Sequence, residues 1–471
     1  MSFNYKIENN ILYYSGTPFT GSTQLTSLNT AFKNNTTLTK VMPLEGGTVV
    51  TGISDWGDAF HQCSALYSAD MSNFDTTSIT SNNYVFFRCY NLVQLMLPSA
   101  VFADNYSYPM LKEAAKGQIL DVYCNNFQLG YAFDGCLATK IRVHPLTSSD
   151  TGYITTLKAM CLGATNLEEI DLSDMTCSVD SIPHHEFAAG CTKLVTIKYP
   201  KNLKNFDSDG VDNYQPFKGA GTAGNTLTVY GDFSQSTILY GLFNSGSAGC
   251  NYQAIDLSNV TPPTKLTNAR HLFYGWKNLL TVDLSKWSYD STLTTSDATT
   301  MFAYCTSLIR INLPKFYGTI TAGNGLFYNG GIANRPAYLY GDMSNVTNIT
   351  GVFKNTKYKG FDFSNVIPST KLTNISNAFN NNPNLVEIDM SKFTLTSTSY
   401  GCAQYAFGNC PKLTTLKLPK VVGWITGGEF NYYTVTGGSG TAGLTLKVYG
   451  DLSEATSIRA LFYQNGRMIA H

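Results

Sequence analysis

Ala406-Phe407-Gly408-Asn409-Cys410-Pro411-Lys412-Leu413-Thr414-Thr415-Leu416-Lys417-Leu418-Pro419 carries the pattern on which the whole chain is built. An apolar pair precedes a short polar turn, and Leu-x-x-Leu-x-Leu follows it. The same order recurs at Met301-Phe302-Ala303-Tyr304-Cys305-Thr306-Ser307-Leu308-Ile309-Arg310-Ile311-Asn312-Leu313. In the second half of each stretch the apolar residues alternate, which is the period of a strand with one buried face.

Working outward, the anchor position runs Phe32, Phe60, Phe86, a degenerate unit near Tyr106, then Phe133, Met160, Phe187, Phe217 and Phe243. It continues as Phe273, Phe302, Phe327, Phe353, Phe379, Phe407, Phe430 and Phe462. Steps range from 20 to 32 residues and most lie near 27, within the span of leucine-rich repeats and short for a helical repeat. A longer period overlies this one. Pro98, Pro200, Pro314 and Pro419 close strands at intervals of 102, 114 and 105. Tyr123, Tyr230, Tyr340 and Tyr449 recur at 107, 110 and 109, and Asp70, Asp171, Asp283 and Asp389 at 101, 112 and 106. Three interleaved series in one register make the unit of duplication a block of four repeats.

A coil of this size cannot bury its own apolar face, so neighbours must stack, and consecutive strands must run parallel. Their inward residues then form ladders of Phe, of Leu and Ile, and in part of Cys. No long 3.6-residue period is present; stretches such as Leu372 to Phe379 allow two helical turns at most. The expected fold is mainly β, a leucine-rich-repeat solenoid of parallel stacked strands with short helical or 3-10 segments. It should have about 17 coils in four-repeat blocks near 21–122, 123–229, 230–339 and 340–449, with a partial last unit at 450–471. Residues 1–20, alternating around Glu8-Asn9-Asn10, read as a capping β-hairpin. At the other end Met468-Ile469-Ala470-His471 aligns with Gly360-Phe361-Asp362-Phe363. That last strand is expected to lie at an open edge and to dock on a partner or a second copy.

Ala-Phe-x-x-Cys-x-x-Leu-x-x-Leu-x-Leu-Pro, as at 406–419, resembles the BspA-like leucine-rich repeat family of bacterial and protozoan surface proteins. Asp283-Leu284-Ser285-Lys286-Trp287, followed by Met301-Phe302-Ala303-Tyr304-Cys305, resembles the related repeat of mycoplasma surface lipoproteins. The resemblance runs from about Gln24 to the end. It implies surface display, adhesion, and binding of protein or glycan. The N-terminal stretch MSFNYKIENNILYYSG has no secretory pattern, so a virion, assembled without a signal peptide, is the other setting expected beside the cell surface.

Composition excludes several classes. Thirty-two basic and 32 acidic residues balance, which leaves no electrostatic footprint for nucleic acid. Charged residues make up only 14% of the chain, so its polarity rests on Asn, Thr, Ser, Gly and Tyr. No apolar run reaches the roughly 18 residues of a membrane span. Catalytic, cofactor and metal constellations are not expected. Six of the eleven cysteines, Cys63, Cys89, Cys136, Cys191, Cys305 and Cys410, fall three or four residues after an anchor. No C-x-x-C pair exists, so buried free thiols are the expectation. His184-His185-Glu186 lacks zinc-binding spacing and reads as exposed loop. Asn205, Asp207 and Asp209 have the oxygen spacing of a calcium loop, yet Pro216 stands where its bidentate acid belongs.

The outward strand positions offer the candidate binding face. Within a block, acids (Glu169, Asp171, Asp283, Glu387, Asp389) give way to Lys198, Arg310, Asn312 and Lys417, and then to Tyr230, Tyr338, Tyr340 and Tyr449. With strands about 4.8 Å apart, Asp171 should face Lys198 and Asp389 should face Lys417. Two readings stay open: cross-strand pairing alone, or tyrosine patches every roughly 19 Å that suit a glycan or extended chain. The leading function is non-enzymatic recognition or adhesion. The alternative is a structural assembly subunit, such as a bacteriophage fibre or virion decoration, joined through its C-terminal strand.

Overall fold

Alternation along each short strand sends its middle residue inward and its neighbours out. Ile141, Ile170, Ile197 and Val229 follow one another in parallel register and are fully buried. Each such side chain contributes about 1.5–3 kcal/mol by leaving water. Repeated along the chain, this yields a parallel stacked β-solenoid of about fifteen turns. The structure, a computed structural model, describes residues 3–98, 109–128, 130–207, 215–427, 436 and 445–460.

The anchor segments explain why no helix occurs among the described residues, where short helical pieces were expected. The N–H groups of Thr30, Phe32 and Asn34 donate to Gly57, Ala59 and His61 of the next coil, while Ala31, Lys33 and Asn35 donate back three residues within their own coil. Thr30 and Asn34 have φ of 55° and 64°, and each left-handed residue breaks a nascent helical turn. Half the donors are thereby turned toward the neighbour. Leu372 to Phe379 behaves alike, with Ile375, Asn377 and Phe379 donating to Cys402, Gln404 and Ala406.

This ladder also re-places three anchors. Phe133 donates to Met160 O, Cys161 to Phe187 O and Ala188 to Pro216 O. By the rule set at Phe32 and Phe60, the inward slot therefore belongs to Cys161 and Ala188, one residue beyond Met160 and Phe187. Likewise Phe86 donates to Met110 O, which puts Leu111 in the slot assigned to Tyr106. Tyr106, Phe430 and Phe462 lie outside the described residues. The expected count of 17 coils becomes about fifteen.

The chain divides into two compact units, Met1–Phe233 with Asp256–Thr261, and Ser234–Ile255 with Pro262–His471. In the first, Phe3–Glu8 and Ile11–Ser15 form an antiparallel hairpin, and Ile11–Ser15 continues in parallel with Lys40–Pro43. Asn9 and Asn10 both take positive φ, as a two-residue turn of this kind requires. Short parallel strands at Asn126–Phe127, Tyr153–Ile154 and Thr176–Cys177, and at Ser181–Pro183 and Asn205–Asp207, form side sheets.

In the second unit Phe243, Phe273, Phe302, Phe327, Phe353, Phe379 and Phe407 stack nearly face to face, with centroids 5.1–6.2 Å apart. Stacking of this kind adds about 0.5–1.5 kcal/mol per pair beyond burial. Side sheets here join Thr295–Asp297, Gly318–Thr321 and Val346–Asn348, and Thr394–Leu395, Lys420–Thr426 and Glu454–Arg459.

Candidate functional site

Outward residues of successive strands stand opposite one another. Asp171 pairs with Lys198 and Lys198 with Tyr230; Asp389 pairs with Lys417 and Lys417 with Tyr449. Lys198 Nζ lies 2.7 Å from Asp171 and 3.0 Å from Glu169, which also meets Lys140 at 3.3 Å. Lys417 Nζ lies 2.7 Å from Asp389. Arg310, opposite Tyr338, reaches diagonally instead. Its Nη2 donates to the Tyr340 hydroxyl at 2.8 Å, and its guanidinium covers the Tyr340 ring. The three candidate cations are thus engaged by neighbours.

The aspartates have a second duty. Asp171 Oδ1 accepts from the Ser173 N–H at 3.0 Å and from its hydroxyl at 2.6 Å, and Asp389 holds Ser391 in the same way. Asp70, Asp342 and Asp451 repeat the arrangement with Ser72, Ser344 and Ser453. The Asp-x-Ser ending is a turn clamp. Burial raises the pKa of Asp171, but the bonds from Lys198 and Ser173 outweigh it and hold the carboxyl below its ordinary value. For Asp389 the same balance is struck with Lys417 and Ser391.

With the three cations engaged, Tyr230, Tyr338 and Tyr449 remain open, at 37%, 40% and 52% exposed. Each neighbours a concavity or a charged pair. In the first unit a depression of about 360 Å³ adjoins Tyr230 and is lined in part by Tyr199, Lys201 and Asp232. In the second unit a depression of about 430 Å³ adjoins Tyr338.

The larger depression has a backbone cause. Tyr338 faces Asp362, but Tyr340 faces Asn365, so the strand Gly360–Ile367 carries one extra residue. A bulge of this kind bends its strand. Pairing with the strand Glu387–Asp389 stops after Phe361 and Ile388, and the strands part there. Asp362, Glu387, Asp389 and Lys392 line the opening above Phe361 and Phe363. Lys392 Nζ spans it to Ser364 O at 3.0 Å. Sequence reasoning missed Asp362 and Lys392; the β-branched pair Val366-Ile367, which prolongs this strand past its Asp-x-Ser, was the available signal.

Other candidates fall elsewhere. Asn205 and Asp207 end the side-sheet strand Asn205–Asp207, and Asp209 lies outside the described residues. So do Met468, Ile469, Ala470 and His471. No group of three or more metal-binding side chains occurs among the described residues. All eleven cysteines are buried and free. His184 corrects the exposed-loop reading: it is buried, with its ring edge-on to Phe206. It shares the inward parity of Ile182, so the strand alternation carries it inside. No helix of the described residues is long and apolar enough to cross a membrane.

Residues 6–103, 129–216 and 350–436 match, in six copies, the BspA type leucine rich repeat region. The chain belongs to the BspA-type leucine-rich repeat family. Within this BspA-type chain, residues 237–382 also match a Mycoplasma protein family of unknown function. The BspA-type chain matches no curated protein. A leucine-rich repeat protein from Bacteroides ovatus is 16% identical, with 89% of this chain and 94% of that chain covered and a TM-score of 0.32. The TLR13–ssRNA13 complex is 13% identical over 91% of this chain and 68% of that one, with a TM-score of 0.28. A leucine rich cell surface protein from Faecalibacterium prausnitzii is 13% identical over 77% and 89%, with a TM-score of 0.18.

Proposed function

We propose that this BspA-type chain is a non-enzymatic recognition or adhesion protein, displayed on a cell or virion surface, that offers the outward face of its strands to a protein or glycan. The observation that carries this reading is the exposed rings, Tyr230 in the first unit and Tyr338 and Tyr449 in the second, each on an outward strand side where Lys198, Arg310 or Lys417 is already engaged by neighbouring side chains. Tyrosine supplies a large rigid contact with a polar tip at low entropic cost, which is why it is enriched at binding surfaces. Family membership supports the same direction.

The test is the binding of fluorescently labelled chain to intact cells, comparing the native protein with a Tyr230→Ala, Tyr338→Ala, Tyr449→Ala triple variant. A loss of roughly tenfold or more in bound protein, with unchanged melting, is expected. Equal binding by the two would remove this face from consideration.

A further inference from the structure

We propose that the depression between the strands Gly360–Ile367 and Glu387–Asp389 is a subsite for a neutral oligosaccharide; this rests on the recognition reading above and names its ligand class. Four observations carry it. First, the cavity is built: the extra residue between Asp362 and Asn365 ends pairing after Phe361 and Ile388 and opens about 430 Å³, within the range of small-ligand sites. Second, its floor and wall are aromatic. Phe361 and Phe363 lie beneath, almost wholly buried, and the Tyr338 ring stands at the side, half open to solvent. A sugar ring presents one apolar C–H face, which such rings can cover, and a rim of hydroxyls, which they cannot.

Third, the rim answers those hydroxyls with acceptors and donors. Among the described residues neither Asp362 nor Glu387 lies within ion-pair distance of a cation; Asp362 Oδ1 accepts from the Ser364 N–H at 2.8 Å, which leaves its other oxygen and the Glu387 carboxylate to accept from hydroxyls. Lys417 and Lys392 supply ammonium donors, although they are bonded to Asp389 and to Ser364 O. Fourth, the signs are mixed. A basic peptide would approach the two ammoniums and an acidic polymer the three carboxylates, whereas a neutral polyhydroxylated chain meets no like charge. Beyond Lys417 the ring of Tyr449 faces the same side. A chain laid across the strands would therefore run from Tyr338 through the depression to a second aromatic platform about 19 Å away.

The experiment is calorimetric titration of the full chain with cellohexaose, laminarihexaose, mannohexaose and chitohexaose, and with hexalysine and hexagalacturonate as charged comparators. At least one neutral hexasaccharide should bind. Tyr338→Ala and Glu387→Ala should each weaken it by roughly tenfold or more, while Tyr153→Ala, an exposed ring away from the depression, should leave it unchanged. Melting curves establish that each variant folds, and Glu387→Gln replaces Glu387→Ala if that variant does not. Binding of no neutral hexasaccharide, equal binding by the depression variants, or tighter binding of either charged comparator would overturn the proposal. Parallel binding of labelled chain to intact cells separates the two readings. Cell binding that survives Tyr338→Ala while no hexasaccharide binds removes the glycan subsite and leaves recognition standing. Absence of cell binding by the native chain, together with no hexasaccharide binding, removes both.

Discussion

The thiol of Cys410 donates to the carbonyl oxygen of Phe379, one coil earlier, at 3.1 Å. Cys63, Cys89 and Cys305 reach Phe32, Phe60 and Phe273 at the same distance, and Cys191 reaches Cys161 at 2.8 Å. Where the slot holds another residue, Trp276 Nε1 donates to Phe243 O and Asn382 Nδ2 to Phe353 O. In these coils the slot holds a buried hydrogen-bond donor, whether thiol, indole or amide. In the first coil the Asn35 N–H already bonds Phe32 O, so the thiol supplies a second bond to a carbonyl held away from water. Cys410→Val, apolar and close in volume, should cost about 1 kcal/mol more than Cys410→Ser, measured by urea denaturation. A valine variant as stable as the serine variant would contradict the donor role.

The same burial protects the thiols. It pushes Cys63 and Cys191 up to about 12 and Cys136 to about 11. An unfolded thiol ionises near 8.5. Because the folded values are raised, this contribution to stability is whole below the unfolded value and is lost as pH rises through the folded ones. Stability should therefore decline from about pH 8.5 upward. A thiol reagent at neutral pH should label none of the eleven cysteines until denaturant is added. Rapid labelling of the native chain would mean that coils open readily.

Phe302 sits between Phe273 and Phe327 in the aromatic column and is fully buried. Truncation to alanine removes two stacking partners and leaves a cavity that rigid coils on either side cannot close. Phe302→Ala should lower unfolding free energy by about 3–5 kcal/mol, and Phe302→Leu by clearly less. Denaturant titration of both variants checks the order.

Asp171 joins Lys198, on the next strand, to the turn at Ser173. Its folded pKa is depressed, so its contribution is present above the ordinary carboxylate value and fades as pH falls through the lowered one. Asp171→Asn should cost about 1 kcal/mol near neutrality, allowing for its partial exposure. It should also flatten the loss of stability between about pH 5 and pH 3. Identical acid profiles for variant and native protein would show that the pair contributes nothing.

Gly275 has φ +85°, and a Cβ there would stand 1.8 Å from the Gly246 carbonyl oxygen. Adjacent coils touch through backbone at this point. Gly275→Ala should cost more than the roughly 1–3 kcal/mol of a strained φ alone, read as a lowered melting temperature or loss of soluble protein.

Much of this architecture was legible because duplication wrote it many times over. Period-two alternation located the strands, and the Pro, Tyr and Asp series fixed which strands would be neighbours. The inward slot was harder at Met160 and Phe187, where an apolar residue occupies the adjacent position as well. Hydrophobicity cannot choose between Met160 and Cys161, but Gly163 and Gly190 could have. They hold the left-handed position two residues beyond the slot, as Asn34 does after Phe32, and Cys191 then falls three residues after Ala188, the usual distance. Short helical segments were expected because the spacing of stretches such as Leu372 to Phe379 allows up to two turns; left-handed Asn, Thr and Tyr residues, which no apolar pattern reveals, turn alternate donors toward the next coil instead. The candidate face was readable as a row of residue types. The depression beside Tyr338 was marked only by the β-branched Val366-Ile367 that prolong its strand, because it arises from one extra residue there rather than from the residue types that line it.

The division of donors in the anchor turns also governs how the molecule meets a mechanical load. Alternate N–H groups of each turn bond only the adjoining coil, so tension applied to a terminus concentrates on the outermost seam while those inside it stay shut. Rupture of one seam pays out a coil of some 27 residues, about 90 Å of slack, before the next seam bears the force. A stack of coils joined this way yields by small increments and keeps hold while it lengthens.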